Sequence, residues 1–389
     1  MDTADLPRHR ASLQGILGFA HLPVLGADQR AEAKKRLYHI LNHFEPAEQG
    51  TSQYNRPALA RLTYEYARSD ESRDIFVRAF FEQMQLRFDG DDPIDFSDKG
   101  LENRLHDSVI EFADLLLENF FLPMVAAGKE TPQPSPAPLS AIQRAQGGEY
   151  EYTGTPDRVS VLRSLCLRRD RHRCVISRKF DRREAVTRFE RSGANARDDD
   201  NEPLPGESID SLQVAHILPH CLTQIKKRET ELDSTQKAAL SILNMFDKGA
   251  AHLIDGVDID GPHNAISLTH LLHEWFGEFQ IYFEPIADHS HTYNIKPFVD
   301  PWLLNGLIPV TRTLYLAADR SIDPPSPRLL AIHNAIGHIL HLSAAGDYID
   351  KILRDREDRG IRSDGSTEIG QLVGLALGRW SGGTVNASA

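Results

Sequence analysis

Three histidines and an asparagine have the types and order to do chemistry: His216 and His220 in "QVAHILPH", then Asn264 and His273 in "HNAISLTHLLHEWF". Neutral imidazole can take a proton near neutral pH and can ligate metal ions. A primary amide both donates and accepts hydrogen bonds. The ordinary alternative is a histidine packed and hydrogen-bonded in an apolar strand, so the elements around these residues have to decide.

Those elements follow a pattern. "SLQVAHIL" is rich in apolar and β-branched residues and predicts a strand that ends at Pro219. After a long excursion to about Gly261, "NAISL" predicts a second short strand. Thr269 is placed to cap the helix "HLLHEWFGEF", in which Trp275, Phe276 and Phe279 form the buried face and His270 faces solvent; "FQIYFEP" then returns to strand. Upstream, Thr155 and Pro156 open a helix through "DRVSVLRSLCLRR", followed by a short strand "RCVIS" and an acidic, turn-rich loop "ARDDDNEPLPGES".

The flanks are mainly helical. "DQRAEAKKRLYHILNHF" and "ESRDIFVRAFFEQMQLRF" carry apolar residues at helical spacing, as does "LHDSVIEFADLLLENFF". The expected organisation is a helical region over 1–128, a proline-rich linker over 129–150, and a mixed α/β module over 151–300. A mainly helical region with a frayed tail follows over 301–389. The linker has proline at 132, 134, 136 and 138, which suits a polyproline-like connector.

A chain of 389 residues has room for two or three domains, and 40% hydrophobic with 26% charged residues is ordinary for a globular protein. Cys166, Cys174 and Cys221 form no CxxC pair, and an odd number suits a reducing compartment and buried structural thiols. No apolar run reaches the roughly 18 residues of a membrane span, and Asp2 and Asp5 spoil the basic flank of a secretion signal. The expectation is an intracellular protein of nucleus or cytoplasm, neither secreted nor membrane-bound. A net charge of −12 excludes a protein that coats nucleic acid with its whole surface, but a local basic face remains open. From Arg158 to Arg191 twelve Arg or Lys stand against four Asp or Glu, a net of +8.

A strand with a histidine, a second strand opened by asparagine, and a helix with another histidine resemble the ββα-metal unit of the HNH endonuclease family. The matching residues are "AHILP", Asn264, and His273 after eight intervening residues. With "RDRHRCVIS" upstream and "LLAIHNAIGHILHLSAAGDYIDKIL" downstream, the likeness to fungal HNH-domain proteins spans about 156–355. The fold class expected is therefore α+β: an HNH module flanked by mainly α-helical regions.

The resemblance implies a metal-dependent endonuclease that hydrolyses phosphodiester bonds, in DNA rather than RNA. In that reading His216 is the general base, Asn264 orients the histidine segment, and His273 ligates a divalent metal. Magnesium comes first, with manganese, nickel or zinc as further options. Two positions depart from the family. Ala215 stands where many members carry a ligand just before the base, and Gly277 where some carry another histidine. The shell could be completed by His220, or by Asp255, Asp258 or Asp260. Arg168, Arg169, Arg171, Arg173 and Arg178 are the candidates for phosphate contact. Two rival readings stay open: an HNH fold that binds nucleic acid without turnover, and a helical protein-interaction scaffold.

Overall fold

The structure, a computed structural model, describes residues 22–48, 50, 53–90, 94–129, 155–223, 234–304, 306–317 and 319–359. The helices, in chain order, begin with α1 (Ala27–Phe44), α2 (Arg56–Glu65), α3 (Asp70–Gln83), α4 (Lys99–Leu116) and α5 (Leu122–Lys129). They continue with α6 (Thr155–Arg169), α7 (Arg182–Ser192), α8 (Ser234–Phe246), α9 (His270–Gly277), α10 (Pro327–Leu342) and α11 (Ala345–Arg359). The strands are β1 (Phe180–Asp181), β2 (Ile209–Asp210), β3 (Leu212–His216), β4 (Ala265–Thr269), β5 (Ile281–Pro285), β6 (Thr292–Pro297) and β7 (Val310–Thr313). The architecture is mixed, with small sheets in the middle of a largely helical chain. Among the described residues no helix is long and apolar enough to cross a membrane. The proline-rich linker, the residues before Leu22 and the tail after Arg359 lie outside the described residues.

The chain divides into two compact units, each discontinuous in sequence. The first comprises Met1–Leu122, Asp233–Gly249 and Ile339–Ala376. Its helices begin where side chains can satisfy free N–H groups: Asn55 accepts from Ala58 N at 2.9 Å, Ser69 from Ser72 N at 3.1 Å, and Asp98 from Gly100 N at 2.9 Å. Their apolar stripes then meet. Phe112 of α4 sits edge-on to Phe76 and Phe80 of α3, at 5.5 and 5.4 Å between ring centres.

The second unit comprises Pro123–Leu232, Ala250–His338 and Leu377–Ala389, and contains the seven strands found among the described residues. β3 and β4 form an antiparallel pair with Leu212 opposite Thr269 and His216 opposite Ala265. β5, β6 and β7 form an antiparallel meander, and β1 and β2 a two-residue parallel pair. The predicted strand at "RCVIS" is instead a tight turn. Arg171, His172 and Arg178 all have positive φ (55°, 54° and 63°), which reverses the chain and leaves one bridge, Arg173 to Phe180. Within the excursion before Gly261, α8 carries Ala238, Ala239, Ile242, Leu243 and Phe246 buried at helical spacing, a pattern passed over as loop.

Candidate active site

β3, β4 and α9 are the three elements expected to carry the site. The alternation of a strand puts Val214 and His216 on one face of β3 and Gln213 and Ala215 on the other. Val214 and Ala265 pack with Leu162 and Cys166 of α6, which anchors that face. Gln213 reaches His270, the first residue of α9, at 3.3 Å. Thr269 precedes α9 but makes no side-chain cap bond.

Asn264, fully buried just before β4, fixes the loops beyond the strand ends. Its Oδ1 accepts from Leu218 N (2.9 Å), and its Nδ2 donates to Leu218 O (3.0 Å) and Ile259 O (2.9 Å). One amide thus ties the segment after His216 to the residue before Asp260. The consequence is a convergence of three groups. His216 Nε2 donates to Asp260 Oδ1 at 3.1 Å, and His220 Nδ1 donates to the same oxygen at 2.7 Å. Arg158 of α6 donates from Nε to Asp260 Oδ2 at 3.1 Å. The side chains of His216 and Asp260 are 3% exposed and that of His220 10%, so His220 is the most open of the three.

The electrostatics follow from burial and this shared carboxylate. Burial pushes His216 below its ordinary pKa, Asp260 pulls it back up, and His220 lowers it again; the net is a neutral imidazole. Burial alone would raise Asp260, but the hydrogen bonds from both histidines hold it well below the usual carboxylate range. His273, on the buried face of α9, is pushed down to about 4 by burial and by the nearby His270 and His216.

With Nε2 of His216 and Nδ1 of His220 committed to Asp260, the opposite ring nitrogens are buried without a partner among the described residues, as is His273 Nε2. A buried polar atom left unpaired costs about 1–3 kcal/mol. An orphan nitrogen alone does not define a site. His333 Nδ1 is orphaned too, yet that ring is sandwiched on Phe276 and Phe279 and serves packing. What sets His216 and His220 apart is the anion between them, with donor atoms of the three residues all within 4.8 Å of one another. This donor set, two imidazoles and a carboxylate, fits a divalent cation.

The candidate ligands therefore sort differently from the expectation. His220 lies in the cluster, Asp260 is selected over Asp255 and Asp258, and His273 stands outside this group of three. Gly277 is fixed by packing. A Cβ there would lie 2.4 Å from Gly128 O, so no side chain fits where some relatives carry a ligand. The sequence reading missed Arg158, which only the fold brings to Asp260, 102 positions away.

The arginine candidates require a correction. Arg169 is fully buried, paired with Asp170 and donating to the carbonyls of Pro262, Ala265 and Asp323, so it holds the fold and cannot meet a phosphate. Arg171 pairs with Asp200, and Arg173 with Asp198 (2.5 Å) and Glu207 (3.1 Å). Arg178 donates to Thr313 O and lies 4.2 Å from the Tyr315 ring centre. Of the five, Arg168 is the exposed one, touching Ser321 Oγ at 3.4 Å. The physical reason is the acidic loop at Asp198–Asp200. It lies just beyond the basic run and neutralises much of it.

Residues 174–284 match the family model described as HNH endonuclease, a span that holds β3, β4, α9 and the cluster around Asp260. No curated protein and no solved structure matches the chain. Such a domain indicates nuclease-type activity and contact with nucleic acid, and domains of this kind generally use a divalent metal. The segment 174–284, in the middle of this chain, is thus the part that matches the HNH endonuclease family.

Proposed function

We infer that the protein is a metal-dependent endonuclease that hydrolyses phosphodiester bonds in DNA. The observation that carries this reading is the meeting of His216, His220 and Asp260, held in register by Asn264. His216 is the general base. Donation from Nε2 to Asp260 fixes the tautomer, so the lone pair sits on Nδ1, and the lowered pKa keeps that nitrogen free to accept a proton from water. Asp260 orients both imidazoles, and Arg158 holds its second oxygen. Asn264 positions the segments that bear them.

His220 and Asp260, two of the three clustered residues, would hold the divalent ion. When bound, it would polarise the phosphate and steady the departing oxygen. Because Nδ1 of His216 is enclosed, substrate entry requires the side chains over it to part. A second reading, binding without turnover, is favoured by Ala215, which supplies no ligand next to the base. Nicking of supercoiled plasmid, with and without chelator, separates the two. Wild type should cut and His216→Ala should lose about 10²–10⁴ in rate; binding with no cutting under any divalent metal would defeat the enzyme reading.

A further inference from the structure

The basic run contains three guanidiniums that the fold leaves unused, and none was among the five named from sequence. The guanidiniums of Arg182, Arg183 and Arg191, all on α7, are exposed and make no hydrogen bond or ion pair among the described residues, and Arg182 acts only at longer range on Asp210. Their neighbours are all engaged: Lys179 pairs with Asp210, Arg188 with Glu184 and Asp199, and Arg173 with Asp198. Beside the free arginines, Val186 (53%) and Phe189 (58%) point outward from the same helix, where a buried face would be expected to claim them. Only Ala185 of α7 is buried. In a chain of net charge −12, three unpaired cations against one exposed acid, Glu190, with two exposed apolar side chains on one 11-residue helix, form a surface suited to a polyanion.

α7 is also fastened to the candidate site. Asp181 caps it, accepting from Glu184 N at 3.2 Å through Oδ2. The other oxygen of Asp181 accepts from Leu212 N at 3.2 Å, the first residue of the strand that ends in His216. A five-residue strand spans about 13 Å, or about four steps of a duplex at 3.4 Å per step.

The geometry points to α7 as the element that grips the sugar-phosphate backbone of duplex DNA a few steps from the cleaved bond. Arg182, Arg183 and Arg191 bind phosphates, and Phe189 and Val186 lie against the sugars. This assignment rests on the nuclease reading for the identity of its partner, but its test does not depend on turnover. Contacts of this kind set affinity and register without reading bases.

The test is binding of a fluorescent 30-bp DNA duplex by the full chain in chelator, followed by anisotropy across a salt series. Compared with wild type, R182Q/R183Q/R191Q should bind at least about tenfold more weakly at 0.1 M salt. Its plot of log affinity against log salt should be shallower by about 2–3. A control with the same loss of charge in the other unit, K35Q/R87Q/K351Q, should keep the wild-type slope. Circular dichroism and melting, unchanged in both variants, establish that the fold is intact. A triple variant with the wild-type slope overturns the proposal and gives the helix to a protein partner. Equal losses in both variants also overturn it, since net charge alone would then explain the effect. Absence of cutting in the plasmid assay bears on His216 and not on this helix.

Discussion

Replacing Asn264 with alanine removes three buried hydrogen bonds at once, to Leu218 N, Leu218 O and Ile259 O. Each buried bond contributes about 1 kcal/mol, and each partner left dry adds a penalty of similar size or more. The loss should therefore be about 3–5 kcal/mol, large for a single substitution. At about 2–4 °C per kcal/mol for a unit of about 200 residues, the melting transition should fall by about 10 °C. Asn264→Asp is the sharper probe. Its carboxylate still accepts from Leu218 N but faces two carbonyl oxygens with no proton to offer, so at neutral pH it should be at least as damaging as alanine. Differential scanning calorimetry gives the transition, and hydrogen exchange at the Leu218 amide reports the local opening. If both variants melt within 2 °C of wild type, or aspartate outperforms alanine, Asn264 is not the tie between the two segments.

Other consequences are open to measurement. Burial pushes His333 down to about 3 from an ordinary 6.5, so the unfolded chain binds the proton more tightly. The stability this residue protects is complete above about pH 6.5 and is lost as pH falls toward 3; His333→Gln should flatten the acid limb of a urea-midpoint-against-pH curve, and an unchanged limb would contradict the assignment. An imidazole beside a carboxylate, as His220 and Asp260 offer, favours nickel or zinc over magnesium. Thermal shift should therefore rise with those ions, and the rise should vanish in Asp260→Asn; an equal response in that variant would place the ion elsewhere. Gly277→Ala forces a Cβ against Gly128 O and should cost about 1–3 kcal/mol by denaturant titration, whereas an open site would tolerate it. Arg169→Gln should destabilise by about 3–5 kcal/mol, against under about 0.5 for Arg168→Gln, and comparable midpoints for the two would refute the difference in burial.

The elements of the site were legible because their signals are local. The alternation in "SLQVAHIL" and "NAISL" and the short helix after Thr269 gave β3, β4 and α9 nearly at their observed bounds. What surrounds the two histidines was not legible, because it is made by contacts across long separations. Asp260 could not be told from Asp255 and Asp258 in "IDGVDIDG"; the bond from Asn264 to Ile259 O is what turns it toward His216. The basic island misled for a related reason. A charge count over 158–191 stops short of Asp198, Asp199 and Asp200, and those acids return in space to Arg173, His172, Arg188 and Arg171. The free cations were the helical ones beyond that reach. The turn at "RCVIS" was read as strand from its β-branched residues, while positive φ on either side forbids extension.

β3 and β4 are neighbours in space, yet Leu218 and Asn264 stand 46 positions apart. Closing a gap of that size costs a few kcal/mol of chain entropy, which the pairing recovers only once both edges exist. A polypeptide released by the ribosome before residue 260 carries His216 and His220 but no acid to set their protons and no second strand to seat them. On the proposed nuclease reading, truncated products would therefore emerge disarmed, and cutting would be confined to chains whose synthesis had passed that point.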